Sequence, residues 1–163
     1  MKRTQIVAAR CLFLLLVAFF AWGCIYQAPL TPRPTRKIDE RLLGNWLEKA
    51  KDGKTMRIGK LTDWEYIIYY DGFYRAFHSD LGDNHFVSVQ NLQPVDDKDR
   101  KYTILTYELR NGGKTLVVRT INTDVIPATL TTSAALKKAI EANLDNPKLF
   151  NSDVGTYTRV QEK

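Results

Sequence analysis

Two histidines and two aspartates stand close together in the segment "HSDLGDNH". His78, Asp80, Asp83 and His85 are residue types that ligate divalent metals, and a turn would bring them near one another. Aspartate and glycine are, however, frequent in turns for conformational reasons alone. We therefore expect a turn at this position and predict no metal site.

These two histidines are also the only imidazoles that could serve as a catalytic base. A nucleophile–base pair would need His78 or His85 next to a serine such as Ser79 or Ser88. Neither serine lies in a recognisable nucleophile elbow, and the chain has no cysteine after residue 24. The sequence thus predicts a protein that is not an enzyme and uses no cofactor, with a cryptic hydrolase as an alternative.

Aromatic residues are concentrated in the stretch from Trp64 to Phe77. They fall on both faces of the strands predicted there, which is more aromatic surface than one packed wall requires. Because ligand pockets are lined mainly by apolar and aromatic side chains, a site for a fatty acyl chain or similar molecule is expected. Packing of the wall of the fold is the alternative explanation. The candidate ligand-binding residues are Trp64, Tyr66, Tyr70 and Tyr74.

The elements that must position these side chains are predicted from short segments rich in Tyr, Ile, Val and Thr, separated by turns with Gly, Asp and Asn. Before the last strand, Leu136, Ile140 and Leu144 recur at a spacing of four, which predicts one amphipathic helix. Eight antiparallel strands leave two exposed edges unless they close. We therefore predict a mainly β fold, either an eight-stranded barrel or a strongly curved sheet, whose interior is filled or holds one small ligand. The predicted strands are "NWLEKA", "KTMRIGKL", "DWEYIIYY", "FYRAFHS", "HFVSVQNL", "KYTILTYELR", "KTLVVRTIN" and "VGTYTRVQ".

The N-terminus has the composition of a secretory signal. "MKRTQIVAAR" is basic and contains no acid, and the twelve apolar residues "CLFLLLVAFFAW" follow it. Twelve helical residues extend about 18 Å, which is short of the roughly 30 Å hydrocarbon core of a bilayer. We predict a signal peptide over residues 1–23, with plain secretion or an uncleaved anchor as the alternatives.

The motif "AWGC" resembles the lipobox of bacterial lipoproteins. The resemblance implies cleavage after Gly23 and acylation of Cys24, for example with palmitate. By analogy with enteric lipoproteins, Ile25 in place of Asp implies an outer-membrane anchor facing the periplasm. The proline-rich segment "QAPLTPRPTRK" predicts an extended tether, so that residues 24–39 carry the lipid and hold a domain at residues 40–163.

The segment "LLGNW" contains Gly44-x-Trp46, and Arg159 lies in "YTRV" in the last predicted strand. This combination is similar to the lipocalin and calycin barrels. The resemblance implies that Trp46 seals the closed end of a barrel and that Arg159 stacks over the indole, where a cation–π attraction would add to packing. A tryptophan that packs an ordinary sheet core is the alternative.

The net charge excludes one class of function. The precursor carries +6, and removal of the signal leaves 21 basic and 18 acidic residues, a charge of +3. The basic residues are scattered along the chain, which does not predict a nucleic-acid-binding protein. We expect a membrane-anchored envelope lipoprotein that binds a hydrophobic ligand or an envelope protein. The alternative is a structural or assembly module with a filled barrel that acts through its surface.

Overall fold

The protein forms a closed antiparallel β-barrel with one helix outside it. A computed structural model describes residues 25–49, 53–94, 96, 100–152 and 155–160. The predicted signal peptide at 1–23 and Cys24 lie outside the described residues. The strands are β1 (Gly44–Glu48), β2 (Thr55–Lys60), β3 (Tyr66–Tyr69), β4 (Phe73–His78), β5 (Val87–Asn91), β6 (Tyr102–Arg110), β7 (Thr115–Thr120) and β8 (Gly155–Arg159), and the helix is α1 (Ser133–Glu141).

Each strand pairs with the next one along the chain, and β8 returns to pair with β1. In this last ladder Trp46 lies opposite Arg159, and Glu48 lies opposite Tyr157. The prediction of eight antiparallel strands with one helix before the last is confirmed, and closure selects the barrel over the open curved sheet. Closure leaves neither β1 nor β8 with an unpaired edge, which removes the main aggregation hazard of a sheet.

The barrel has two distinct ends. The closed end carries the connections β2–β3, β4–β5 and β6–β7 together with a 3₁₀ helix at Glu40–Leu42, which leads directly into β1. The opposite end, which we call the open end, is where the strand order places the connections β1–β2, β3–β4, β5–β6 and β7–β8. At the open end the tight β3–β4 turn holds Asp71 at a φ of 51°, and at the closed end the β6–β7 turn holds Asn111 at 52°. Asp and Asn tolerate this left-handed conformation better than most residues, as turns of this kind require.

The barrel interior and the outer surface of one wall form two separate apolar clusters. The interior cluster is centred on Trp46 and Tyr157. The outer cluster lies on β4 and β6, where Phe77 and Ile104 point away from the interior. Leu136 and Ile140 of α1 belong to this outer cluster, so the helix packs against the outside of the wall.

Helix α1 begins after Thr132, whose hydroxyl accepts a hydrogen bond from the Ala135 amide at 3.2 Å. A threonine N-cap of this kind satisfies one of the free amides of the first turn. The helix ends at Glu141, several residues before Pro147. Within the part of the chain that the structure describes, no helix is long and apolar enough to cross a membrane.

Residues 25–36, here called the N-terminal strap, differ from the extended tether that the prolines predict. Tyr26 and Leu30 are each 1% exposed and belong to the outer cluster. The amides of Ile25 and Tyr26 both donate to the Tyr102 carbonyl at 2.9 Å. Further along, the Leu30 amide donates to the Ser88 hydroxyl at 3.0 Å. The segment is therefore docked on the barrel, because it covers apolar side chains that β4–β6 would otherwise expose.

Candidate functional site

A cavity of about 90 Å³ lies inside the barrel. This is several times the roughly 10–15 Å³ that one water molecule needs, so the interior is not packed solid. The lining that the described residues provide is almost entirely apolar, and none of those side chains carries a formal charge at neutral pH. The lining residues are Leu42, Met56, Ile58, Tyr66, Ile68, Tyr70, Tyr74, Ala76, Val87, Val89, Thr103, Leu105, Tyr107, Leu116, Val118 and Tyr157.

The structure brings three of the four aromatic candidates together. Tyr66, Tyr70 and Tyr74 all line the cavity because they occupy inward-facing positions on and next to β3 and β4. Trp64 does not, since it lies in the β2–β3 connection at the closed end and is 45% exposed. The difference follows from the length of β3, which starts at Tyr66 and so leaves Trp64 outside the alternating pattern of the wall.

The polar groups at the open end come from phenols and one carboxylate. The Tyr70 hydroxyl donates to a Glu48 carboxylate oxygen at 2.8 Å. The ring of Tyr157 packs edge-on against that of Tyr70, with centroids 6.3 Å apart. Burial, the leading cause, raises the pKa of both phenols, so they remain neutral hydrogen-bonding groups at physiological pH. Tyr70 and Tyr157 line the cavity, so a ligand there would meet these two phenols, and Glu48 is hydrogen-bonded to the first of them.

A second polar group of residues lies at the closed end. The Tyr66 hydroxyl and His78 Nε2 are 2.8 Å apart, and the Asp39 amide donates to the same hydroxyl at 2.5 Å. The Tyr107 hydroxyl donates to Asp39 at 3.2 Å. These contacts join the segment before the 3₁₀ helix to β3, β4 and β6, and so fix the floor of the cavity.

His78 is fully buried within this network. Burial is the main cause that lowers its pKa from 6.5 to about 4, and the nearby Arg36 guanidinium lowers it further. The imidazole is consequently neutral at pH 7. Arg36 itself forms an ion pair with Asp80, with 2.8 Å between Nε and Oδ2.

The segment "HSDLGDNH" does form a connection between β4 and β5, but it separates its two histidines. His78 ends β4 inside the barrel, whereas the His85 side chain is 60% exposed and lies 3.3 Å from Asp80. Among the described residues no group of three or more His, Cys, Asp and Glu side chains is arranged to hold a metal ion.

The serines that a hydrolase would need have other contacts. The Ser79 and Ser88 hydroxyls lie 2.8 Å apart and are both fully buried. Ser79 is also 2.9 Å from the Thr31 hydroxyl, and Ser88 accepts from the Leu30 amide. Both serines thus hold the N-terminal strap to the outside of the wall, on the opposite face from the cavity.

The closed end is sealed by Trp46 and Arg159. The indole is fully buried and donates from Nε1 to the Leu42 carbonyl at 2.8 Å. The guanidinium carbon of Arg159 lies 4.3 Å from the centroid of the indole ring. Arg159 also donates to the backbone carbonyls of Arg41, Leu43 and Gly113, which ties the 3₁₀ helix to the β6–β7 turn.

Sequence reasoning missed Glu48, Tyr107 and Tyr157 as site residues. Side chains alternate between the two faces of a strand, so residues two apart share a face. Each of the three missed residues lies two positions from a residue on the inward face. Glu48 is two residues after Trp46, Tyr157 is two residues before Arg159, and Tyr107 is two residues after Leu105. Alternation counted from these positions is the signal that could have found them.

No family model, curated protein or solved structure matches this chain.

Proposed function

We propose that the protein is a lipid-anchored, non-catalytic binding protein whose barrel holds the apolar part of a single-chain amphiphile. The observation that carries this proposal is the uncharged, apolar cavity enclosed by the barrel. A charged metabolite buried there would lose its hydration and find no opposite charge among the lining side chains that the structure describes. An acyl or similar hydrocarbon chain would instead make van der Waals contacts with the apolar lining.

The polar groups at the open end suit the head of such a molecule. Tyr70 and Tyr157 present phenols with raised pKa, and Glu48 presents a carboxylate that already accepts from Tyr70. Ligand sites of this kind combine an apolar body with a few polar groups that fix orientation. The chain would therefore lie in the barrel with its head at the open end, since the closed end is capped by Trp46 and Arg159.

Two resemblances support the assignment. The stacked pair Trp46 and Arg159 at the end of a closed eight-stranded barrel is similar to lipocalins and calycins, although here the helix precedes the last strand. The motif "AWGC" resembles a lipobox, and this resemblance supports acylation of Cys24 and an outer-membrane anchor facing the periplasm.

The anchor is tested by metabolic labelling with a radioactive fatty acid in a bacterial host. Label should enter the wild-type protein and Cys11→Ser, and it should be absent from Cys24→Ser. Cys11→Ser is the matched control because it removes the other cysteine of the same apolar segment. Equal labelling of all three proteins would refute acylation at Cys24.

The cavity is tested by titration with a fluorescent fatty acid and with its uncharged ester, using protein without residues 1–23 and with Cys24→Ser. Micromolar affinity, a free energy of about −8 kcal/mol, is expected for at least one of the two probes. Ala76 is fully buried and lines the cavity, so Ala76→Leu should fill it and weaken binding at least about tenfold.

Trp64→Ala is the matched control for this titration, because Trp64 is aromatic and half exposed but lies outside the cavity. It should leave the affinity unchanged. Saturable binding of neither probe, or equal binding by Ala76→Leu and wild type, would reject the ligand-binding function. A module that acts through its surface would then take its place.

A further inference from the structure

The described chain begins at the open end of the barrel. Ile25 and Tyr26 donate to the carbonyl of Tyr102, and the Tyr102 amide donates back to Tyr26 at 2.7 Å. Tyr102 is the first residue of β6 and directly follows the β5–β6 connection of the open end. Because Cys24 is joined to Ile25 by one peptide bond, a lipid on Cys24 would leave the protein at this end, with no flexible tether in between.

An exposed aromatic pair lies at the same end. Tyr69 and Phe73 are cross-strand partners that flank the β3–β4 turn, with ring centroids 5.2 Å apart. They are 51% and 54% exposed. The Leu92 amide donates to the Phe73 carbonyl at 2.9 Å, which connects this turn to the β5–β6 connection that ends at Tyr102. The aromatic pair and the start of the strap thus belong to one continuous rim.

A competing apolar surface lies at the other end of the barrel. Leu61 and Trp64 in the β2–β3 connection are 49% and 45% exposed. Exposure alone does not distinguish this surface from the rim, since aromatic side chains at either end would suit the interface between lipid and water. The point at which the strap leaves the barrel does distinguish them, because it is at the open end.

We infer that the open rim, with Tyr69 and Phe73 in the lipid headgroup region, is the surface through which this protein rests on a phospholipid bilayer. The inference builds on the acylated Cys24 and the ligand cavity of the proposed function. In this orientation the open end of the cavity faces the membrane, and the closed end with Trp64 points into the aqueous phase. An apolar ligand would then pass between bilayer and barrel without exposing its chain to water, which is the costly part of such a transfer.

The test uses spin labels on the mature lipidated protein in vesicles of phosphatidylethanolamine and phosphatidylglycerol. The chain has no cysteine beyond residue 24, so one introduced cysteine gives one labelling site when the Cys24 thiol is acylated. Phe73→Cys and Tyr69→Cys place the label on the rim, and Trp64→Cys is the matched control at the closed end. Collisions with oxygen, which partitions into lipid, are compared with collisions with a water-soluble nickel complex.

The expected result is a ratio of oxygen to nickel collisions that is several-fold higher at positions 69 and 73 than at position 64. The reverse order would mean that the closed end faces the bilayer, and equal aqueous values would mean that the domain stands away from it. Either outcome overturns the inference even if the titrations find a ligand. Labelling of the wild-type protein would reveal a free Cys24 thiol, which refutes the anchor and with it the orientation. The ligand titrations of the soluble form test the cavity independently of the anchor and of the orientation on the membrane.

Discussion

The guanidinium of Arg159 stacks on the indole of Trp46 and also donates to three backbone carbonyls around it. The two residues are direct partners in the ladder that closes the barrel. One side chain therefore joins the first strand, the last strand, the 3₁₀ helix and the β6–β7 turn. Removal of the Arg159 side chain should loosen the closed end of the barrel without affecting the open end.

Arg159→Ala should lower the free energy of unfolding by about 2–4 kcal/mol, since it removes charged hydrogen bonds and the cation–π contact together. Urea denaturation of Arg159→Ala, Trp46→Phe and the double variant would separate the cation–π contact from the hydrogen bonds. We expect a coupling of about 0.5–2 kcal/mol between positions 46 and 159. Strict additivity would mean that the stack contributes nothing to stability.

Gly44 should not tolerate a side chain. Its φ is +124°, and a Cβ there would lie 3.1 Å from Nη1 of Arg159. Gly44→Ala should thus cost about 2–4 kcal/mol, because backbone strain and displacement of the guanidinium combine. Gly82 is the control, with a φ of +58° and open space around it. Gly82→Ala should cost only about 1 kcal/mol in the same unfolding experiment, and equal costs would argue against the close approach.

The N-terminal strap should contribute to stability, which a free tether would not. Leu30 is 1% exposed in the outer cluster, so Leu30→Ala should cost about 2–5 kcal/mol by leaving a cavity. Leu47, which is 45% exposed on β1, is the control, and Leu47→Ala should change stability by less than about 0.5 kcal/mol. A similarly small effect at both positions in thermal or urea unfolding would mean that the strap does not dock.

The strands and their closure were accessible to sequence reasoning because alternation and turn residues are local signals. Docking of the strap was not, since Tyr26 and Leu30 have no periodicity and their partners lie about sixty to a hundred residues away along the chain. A signal was present in the wall itself. Tyr102 and Ile104 face outward on β6 while Leu105 faces inward, and a strand that is apolar on both faces must be covered on both.

The candidate site was predicted in part, because strand alternation indicates which side chains face inward. Tyr66, Tyr70 and Tyr74 have the parity of inward positions, but parity depends on where a strand begins, and Trp64 lies before that point. His78 shows a different limitation. The predicted strand "FYRAFHS" included it, but the sequence suggested its imidazole only as a metal ligand or a base, whereas the structure buries it beside Tyr66.

The burial of His78 predicts a loss of stability in acid. Its pKa is about 4 in the folded protein and near 6.5 in the unfolded chain, so between these values only the unfolded state takes up the proton. The stability that neutral, buried His78 contributes is constant above about pH 7. It falls by about 3 kcal/mol as the pH drops from 6.5 to 4. Other groups around the imidazole are Arg36, Asp39, Asp80 and His85.

Denaturation midpoints measured across this pH range test the assignment. His78→Gln should remove most of the decline between pH 6.5 and 4, because the amide does not titrate. His85→Gln should retain it, since the His85 side chain is largely exposed. An unchanged decline in His78→Gln would show that other groups, such as the carboxylates of the closed end, dominate the acid response.

Glu48 should set the charge preference of the cavity. It shares the inward face of β1 with Trp46, lies at the open end and accepts a hydrogen bond from Tyr70, which lines the cavity. An anionic head held near this carboxylate would be repelled, whereas an ester or alcohol of the same chain length would not. With an effective dielectric of about 20, typical of pairs near a protein surface, the repulsion amounts to about 2 kcal/mol at a separation of about 8 Å.

Wild-type protein should therefore bind the uncharged ester more tightly than the fatty acid. Glu48→Gln should reduce the ratio of the fatty acid's dissociation constant to that of the ester by roughly thirtyfold. Glu108→Gln is the control, because Glu108 is exposed on the outer face of β6 and pairs with Arg110. If Glu48→Gln leaves the ratio of the two dissociation constants as it is in Glu108→Gln, the head of the ligand does not lie at the open end.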